Sequence, residues 1–205
     1  MTLGKYLLDK YGFDEPIYSV EIRFANYSRQ WIYKELKKLL IGGNIKRFAT
    51  GIYYFSRKMP WGESQLNPRK VIEKRFLSSG KDIYGYIAGL SLLNQAGLST
   101  QVPNLIELVT NNESTRVRDI SIGSQSVRAR RSRTLITPHN VKTLQFLDLM
   151  NTITPSGLDE IERLMLSKYV KDSGVTRASV SQYAGFFPAK ATKNMLESGV
   201  IYEIA

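Results

Sequence analysis

The chain reads as an α+β protein on three observations. An amphipathic basic helix, Ser28 to Leu40, is followed by a glycine pair and a basic hairpin. A polar stretch containing Pro60 and Gly62 then separates this module from the rest. Segments between Leu105 and Ile136 alternate as strands do, with helical spacing on either side of them.

In the central helix, Ser28 is a good N-cap, and Ile32, Leu36, Leu39 and Leu40 form one apolar stripe. Arg29, Gln30, Tyr33, Lys34, Lys37 and Lys38 lie on the opposite face, where phosphate binders stand beside residues able to read base edges. Gly42-Gly43 supplies a C-terminal stop. Asn44 to Phe48 and Gly51 to Phe55 then read as strands of a hairpin carrying Lys46 and Arg47. Helix, stop and basic hairpin in that order describe a winged helix-turn-helix, and Ser28 with these eight polar or basic side chains is its candidate contact set for double-stranded DNA. A plain core helix and hairpin with solvated lysines is the competing reading, and the near absence of acid from the outer face, Glu35 aside, weighs against it.

Thr2 to Tyr11 reads as a first helix and Ser19 to Phe24 as a short second one, with Ala25-Asn26-Tyr27 turning into the central helix. The DNA-binding domain is thus expected over residues 1–60, with Ser56 to Leu66 as a linker. The second domain is expected over residues 67–205. Its predicted elements are helices over Arg69 to Leu77 and Tyr84 to Asn94, then a small antiparallel sheet of Leu105 to Thr110, Val117 to Ile122 and Ser126 to Ile136. Asn111-Asn112 and Gly123-Ser124 are the turn candidates of that sheet. A helical tail over residues 141–205 follows, with helices over Asn140 to Met150, Ser156 to Val170, Val180 to Phe186 and Ala189 to Leu196. Val200 to Ile204 reads as a last strand.

Composition narrows the function. The 205 residues, 42% hydrophobic, suffice for one sizeable domain or two small ones. No run is apolar enough for a membrane span, and Met1 to Lys10 lacks a signal-peptide centre, so a cytoplasmic location without a membrane partner is expected. There is no cysteine and a single histidine, His139, which precedes an apolar helix and reads as a helix-start residue. Disulfide, thiol, zinc-finger and Ser-His chemistry therefore lack their residues. The net charge of +11 is uneven: residues 1–60 carry +6, residues 61–140 carry +5, and the last third is neutral. Polyanion binding belongs to the first two thirds.

Six arginines, Arg116, Arg118, Arg128, Arg130, Arg131 and Arg133, stand close together with Asp119 as the one acid among them. Spacing by twos puts Arg116 with Arg118, and Arg128 with Arg130, on common strand faces. Such a face holds anions through guanidinium forks, or it is an exposed edge charged against aggregation, and both readings stand.

Ile45-Lys46-Arg47 with Gly51-Ile52-Tyr53-Tyr54, then Ile87-Ala88-Gly89-Leu90, Leu93-Asn94 and Gly97-Leu98-Ser99-Thr100-Gln101-Val102-Pro103, resemble the AbiE-type antitoxins of type IV toxin-antitoxin (abortive infection) systems. The resemblance covers roughly residues 15 to 140 and leaves the tail unmatched. It implies a bacterial transcriptional repressor of its own operon, with an N-terminal winged helix and a C-terminal antitoxin domain. The implied partners are its operator and a cognate nucleotidyltransferase-like toxin, neutralised without need of a stable complex. On its own chemistry, Gly97 to Pro103 also reads as a simple connector after a glycine-stopped helix. An ordinary winged-helix regulator, or an RNA- or protein-binding antidote without operator binding, is the alternative.

No catalytic role is expected, and no metal or other cofactor. A nucleotidyltransferase needs a Gly-Ser turn followed by paired aspartates, and after Gly123-Ser124 no acid occurs until Asp148. A Glu-x-Lys nuclease triplet is missing from every predicted strand.

Overall fold

The computed structural model describes residues 1–204, an α+β chain of two compact units, the first Met1–Ile72 and the second from Glu73 onward. In the first unit, α1 (Leu3–Tyr11) starts at Thr2, whose Oγ1 accepts from the Lys5 N–H at 3.4 Å. Next come β1 (Ile17–Tyr18), a 3-10 turn at Ser19–Glu21, α2 (Arg29–Ile41), β2 (Lys46–Ala49) and β3 (Ile52–Tyr54). The strands form an antiparallel sheet in the order β1-β3-β2. Leu3, Leu7, Ile17, Ile22, Ile32, Leu36, Ile45 and Phe55 make the core beneath it.

The short helix expected over Ser19 to Phe24 is reduced to that single turn. Ile17 and Tyr18 pair with Tyr53 and Ile52, so strand pairing claims the segment's start, and Ile22 is already extended. The turn into α2 passes through Ala25 at φ +45, with the Tyr27 N–H bonded to the Phe24 carbonyl at 3.2 Å.

The expected linker is structured. β4 (Lys58–Met59) and β5 (Gly62–Glu63) form a hairpin, and α3 (Pro68–Ile72) follows it. Residues beyond 60 join the first unit because they bond back to it. Ser64 Oγ donates to the Asp14 carboxylate, Lys70 pairs with Glu15, and the Tyr18 hydroxyl donates to the Val71 carbonyl at 3.1 Å.

The second unit opens with a π-helical turn, Glu73–Leu77, then the two-residue strands β6 (Ser78–Ser79) and β7 (Asp82–Ile83). The helix expected over Tyr84 to Asn94 is divided into β8 (Gly85–Ile87) and α4 (Gly89–Gln95). Tyr86 and Ile87 pair with Val109 and Leu108 of β9 (Leu105–Thr110), a long-range demand that overrides helical spacing. A Cβ at Gly85 would stand 1.9 Å from the Phe76 carbonyl oxygen, so the strand requires glycine there.

β10 (Val117–Ile122) turns through Gly123-Ser124 into β11 (Gln125–Arg131), which stops short of the Ile136 expected. The sheet order is β10-β11-β9-β8. β10 and β11 pair antiparallel as expected and β8 joins β9 antiparallel, but β9 and β11 run parallel, because the chain crosses past the β11 position after Thr110 and returns.

The tail is part of the core of this unit. α5 (Val141–Thr152), α6 (Glu160–Ser173), α7 (Arg177–Tyr183) and α8 (Ala189–Glu197) bury Phe146, Leu147, Leu166, Val180 and Met195 in one cluster with Leu92 and Leu98. Val200–Tyr202 is a 3-10 turn and not the strand expected. Among the described residues no helix is long and apolar enough to cross a membrane.

Candidate nucleic-acid interface

α2 is held by its apolar stripe. Ile32 and Leu36 are buried, each contributing about 2 kcal/mol by leaving water, while Leu39 and Leu40 are half-buried. Ser28 caps the helix by accepting from the Trp31 N–H at 3.3 Å. Gly43, at φ +68, closes the other end, where the Asn44 N–H reaches the Leu39 carbonyl at 2.9 Å.

The other face points to solvent. Arg29, Gln30, Tyr33, Lys34, Lys37 and Lys38 are all exposed, at the spacing of three and four residues that makes helix neighbours. Lys38 pairs with Glu35 at 2.6 Å, whereas Arg29, Lys34 and Lys37 have no acidic partner among the described residues. The first turn carries Arg29 and no acid. That choice works against the helix dipole, and it leaves the head of α2 electropositive.

The head of α2 is braced by aromatic rings. Tyr27 stacks on Trp31 at 3.9 Å between centroids, Phe24 stacks on both, and Tyr6 of α1 leans on Phe24 at 5.1 Å. Beside them is a shallow depression of about 270 Å³ lined by Ile22, Arg23, Phe24, Ala25, Tyr27, Arg29 and Ile32.

On the β2–β3 hairpin, Arg47 is exposed and its guanidinium donates to the Thr50 hydroxyl at 3.0 Å. Lys46 is engaged. Its ammonium pairs with Glu63 of β5, and the hydrogen bond raises the lysine above its ordinary value and lowers the glutamate below its own.

The arginine strand differs. Arg128 and Arg130 do share a face of β11, but their forks are occupied. Arg128 grips Asp119 with two bonds of 2.8 Å, which holds that carboxyl below the usual aspartate range. Arg130 reaches Asp148 of α5 at 2.7 Å, and Asp148 is only 2% exposed. Burial pushes the Asp148 carboxyl up despite that guanidinium, and the Arg130 Nε has no hydrogen-bond partner among the described residues. Arg118 pairs with the buried Glu113 at 3.0 Å. Arg131 donates to the Ser114 carbonyl at 3.4 Å, and the Arg133 guanidinium lies 5.8 Å from the Phe187 ring centre. Arg116 is exposed and has no acidic partner among the described residues. The expected anion-binding face is therefore mostly neutralised from within.

Sequence reasoning missed Glu63, Glu113 and Asp148 as partners. Glu63 and Asp148 lie 17 and 18 residues from the cations they engage, on elements that only tertiary packing brings close. Gly97 to Pro103 behaves as a connector. Gly97 takes φ +73, the Asn94 amide donates to the Ser99 carbonyl at 3.1 Å, and the Ser99 hydroxyl accepts from the Gln101 N–H at 3.2 Å. His139 is exposed just ahead of α5. Among the described residues no group of three or more histidines and carboxylates is placed to hold a metal. Comparison with protein-family models and with curated proteins gives no match.

Proposed function

We propose that this protein is a sequence-specific DNA-binding repressor of its own operon, with the first unit acting as a winged helix-turn-helix. α2 is the recognition helix, the β2–β3 hairpin is the wing, and the helix before α2 is shortened to the Ser19–Glu21 turn. The observation that carries this reading is the outward face of α2. Arg29, Lys34 and Lys37 are exposed around Gln30 and Tyr33, with no acidic partner among the described residues, while the opposite stripe anchors the helix in the core. Cations position a helix on phosphates, and an amide and a phenol read base edges.

The second part of the proposal is that the chain is the antitoxin of a type IV pair, its second unit counteracting a nucleotidyltransferase-like toxin. This part rests on the resemblance of roughly residues 15 to 140 to AbiE-type antitoxins. The occupied forks of Arg128 and Arg130 favour an antidote surface that does not work by holding phosphates.

Gel shifts on the gene's own upstream duplex, run over a range of salt, test the DNA reading. If about five of the cations Arg29, Lys34, Lys37, Lys38, Lys46 and Arg47 contact phosphate, log affinity falls against log salt with a slope of roughly −4 to −5. A slope near zero sinks the reading. For the antitoxin part, the chain is expressed from a foreign promoter beside the neighbouring gene, and failure to rescue growth rejects it.

A further inference from the structure

The β4–β5 hairpin, unremarkable in sequence, ends in the most exposed tryptophan of the chain. Trp61 is 84% exposed at the turn and Met59 beside it is exposed as well, although tryptophan is a residue that folded chains usually cover. The base of the hairpin is firmly held. Arg57 and Ser64 exchange backbone and side-chain bonds of 2.7 and 2.9 Å, and both engage Asp14, which is itself bonded to the Phe55 carbonyl at 2.9 Å. One flank is tied to the wing strand β2 by the Lys46–Glu63 pair. Lys46 is paired with Glu63 and Arg57 with Asp14, which leaves Lys58, exposed and in no ion pair among the described residues, as the free cation of the hairpin.

From this arrangement we infer that the hairpin is a second contact with duplex DNA, in which Trp61 packs its ring into the minor groove while Lys58 meets the flanking phosphate. The inference rests on the DNA-binding reading of the first unit. A rigid apolar tip beside a free cation is suited to wedge into a minor groove, and an indole offers more stacking area than the leucine or methionine often used. The free charge of Lys58, and the tie of the hairpin to the wing strand through Lys46 and Glu63, select duplex DNA as the occupant. A protein interface needs a broader apolar area than Trp61 and Met59 supply, and a membrane surface needs more than one anchoring ring.

The test uses the full chain and an upstream duplex that it binds. Trp61→Ala should weaken binding by about tenfold, with Trp61→Phe retaining most of the affinity. The salt slope should be unchanged in both, because no charge is lost, whereas Lys58→Ala should flatten it by about one unit. The emission of Trp61, taken as the difference between wild type and Trp61→Phe, should be quenched on adding duplex. Since the side chain is exposed, these variants keep the fold, which circular dichroism checks. Equal binding by wild type and Trp61→Ala, with no change in Trp61 emission, overturns this inference and leaves the DNA reading standing. Absence of duplex binding by the wild type overturns both. A Trp61 response to vesicles of anionic lipid but not to duplex also overturns the inference.

Discussion

The outer face of α2 and the strand β11 carry similar cations and use them in opposite ways. On α2, the helix neighbours of Lys34 and Lys37, besides each other, are Gln30, Trp31, Tyr33, Lys38, Leu40 and Ile41, none of them acidic, so both charges remain open to solvent. On β11, two of the three arginines meet a carboxylate across a strand or from a helix: Asp119 for Arg128, Asp148 for Arg130. By formal count the two elements carry the same charge, +3 each, yet α2 presents more of it. Formal charge counts residues; a partner sees what the fold leaves uncompensated.

The largest effect expected from breaking this contrast is on the second unit's stability. Asp148→Asn leaves the Arg130 guanidinium mostly buried without its counter-ion, which should cost about 3 kcal/mol in denaturant unfolding. Adding Arg130→Met should restore most of that loss. If Asp148→Asn alone is neutral, the pair is not what occupies Arg130. Arg128→Ala with Arg130→Ala should likewise destabilise the unit and leave the salt slope of DNA binding untouched.

Next in size, Gln30→Ala with Tyr33→Ala should lower affinity for the specific duplex by about thirtyfold or more, while binding to unrelated duplex persists. Equal loss on both duplexes would show that these residues position the helix without reading bases. A smaller change is expected for Lys34→Ala with Lys37→Ala, which should flatten the salt slope by about two units. Lys46→Ala with Arg47→Ala should flatten it by only about one, because Glu63 already neutralises Lys46. A full two-unit change there would mean that DNA displaces Glu63 from Lys46.

The smallest effect concerns Glu113. Its burial acts to raise the carboxyl, but hydrogen bonds from Thr115 and Ser114 and the charge of Arg118 outweigh it, so the folded value lies below the ordinary glutamate range. A depressed carboxyl stabilises the fold fully above its unfolded value, and that stabilisation is lost as pH falls through the folded one. Thermal unfolding of wild type and Glu113→Gln should therefore differ at neutral pH and converge in acid. Parallel curves down to low pH would rule out ionised Glu113 as the partner of Arg118.

Where a local rule suffices, the sequence alone determined the outcome. Ser28, the Ile32–Leu36 stripe and Gly42-Gly43 define α2 and its outward residues, because capping, 3.6-residue spacing and a glycine stop act within a few turns. The tight turn at Gly123-Ser124 even implies that Asp119 faces Arg128, since register in a hairpin follows from its turn. Tertiary structure decided the rest. Tyr86 and Ile87 became strand because Val109 and Leu108 offered hydrogen bonds, the linker became a hairpin because Asp14 and Lys46 held it, and Asp148 reached Arg130 from a helix 18 residues away. Pairings of that kind join residues whose separation follows no helical or strand period, so nothing in the local pattern encodes them.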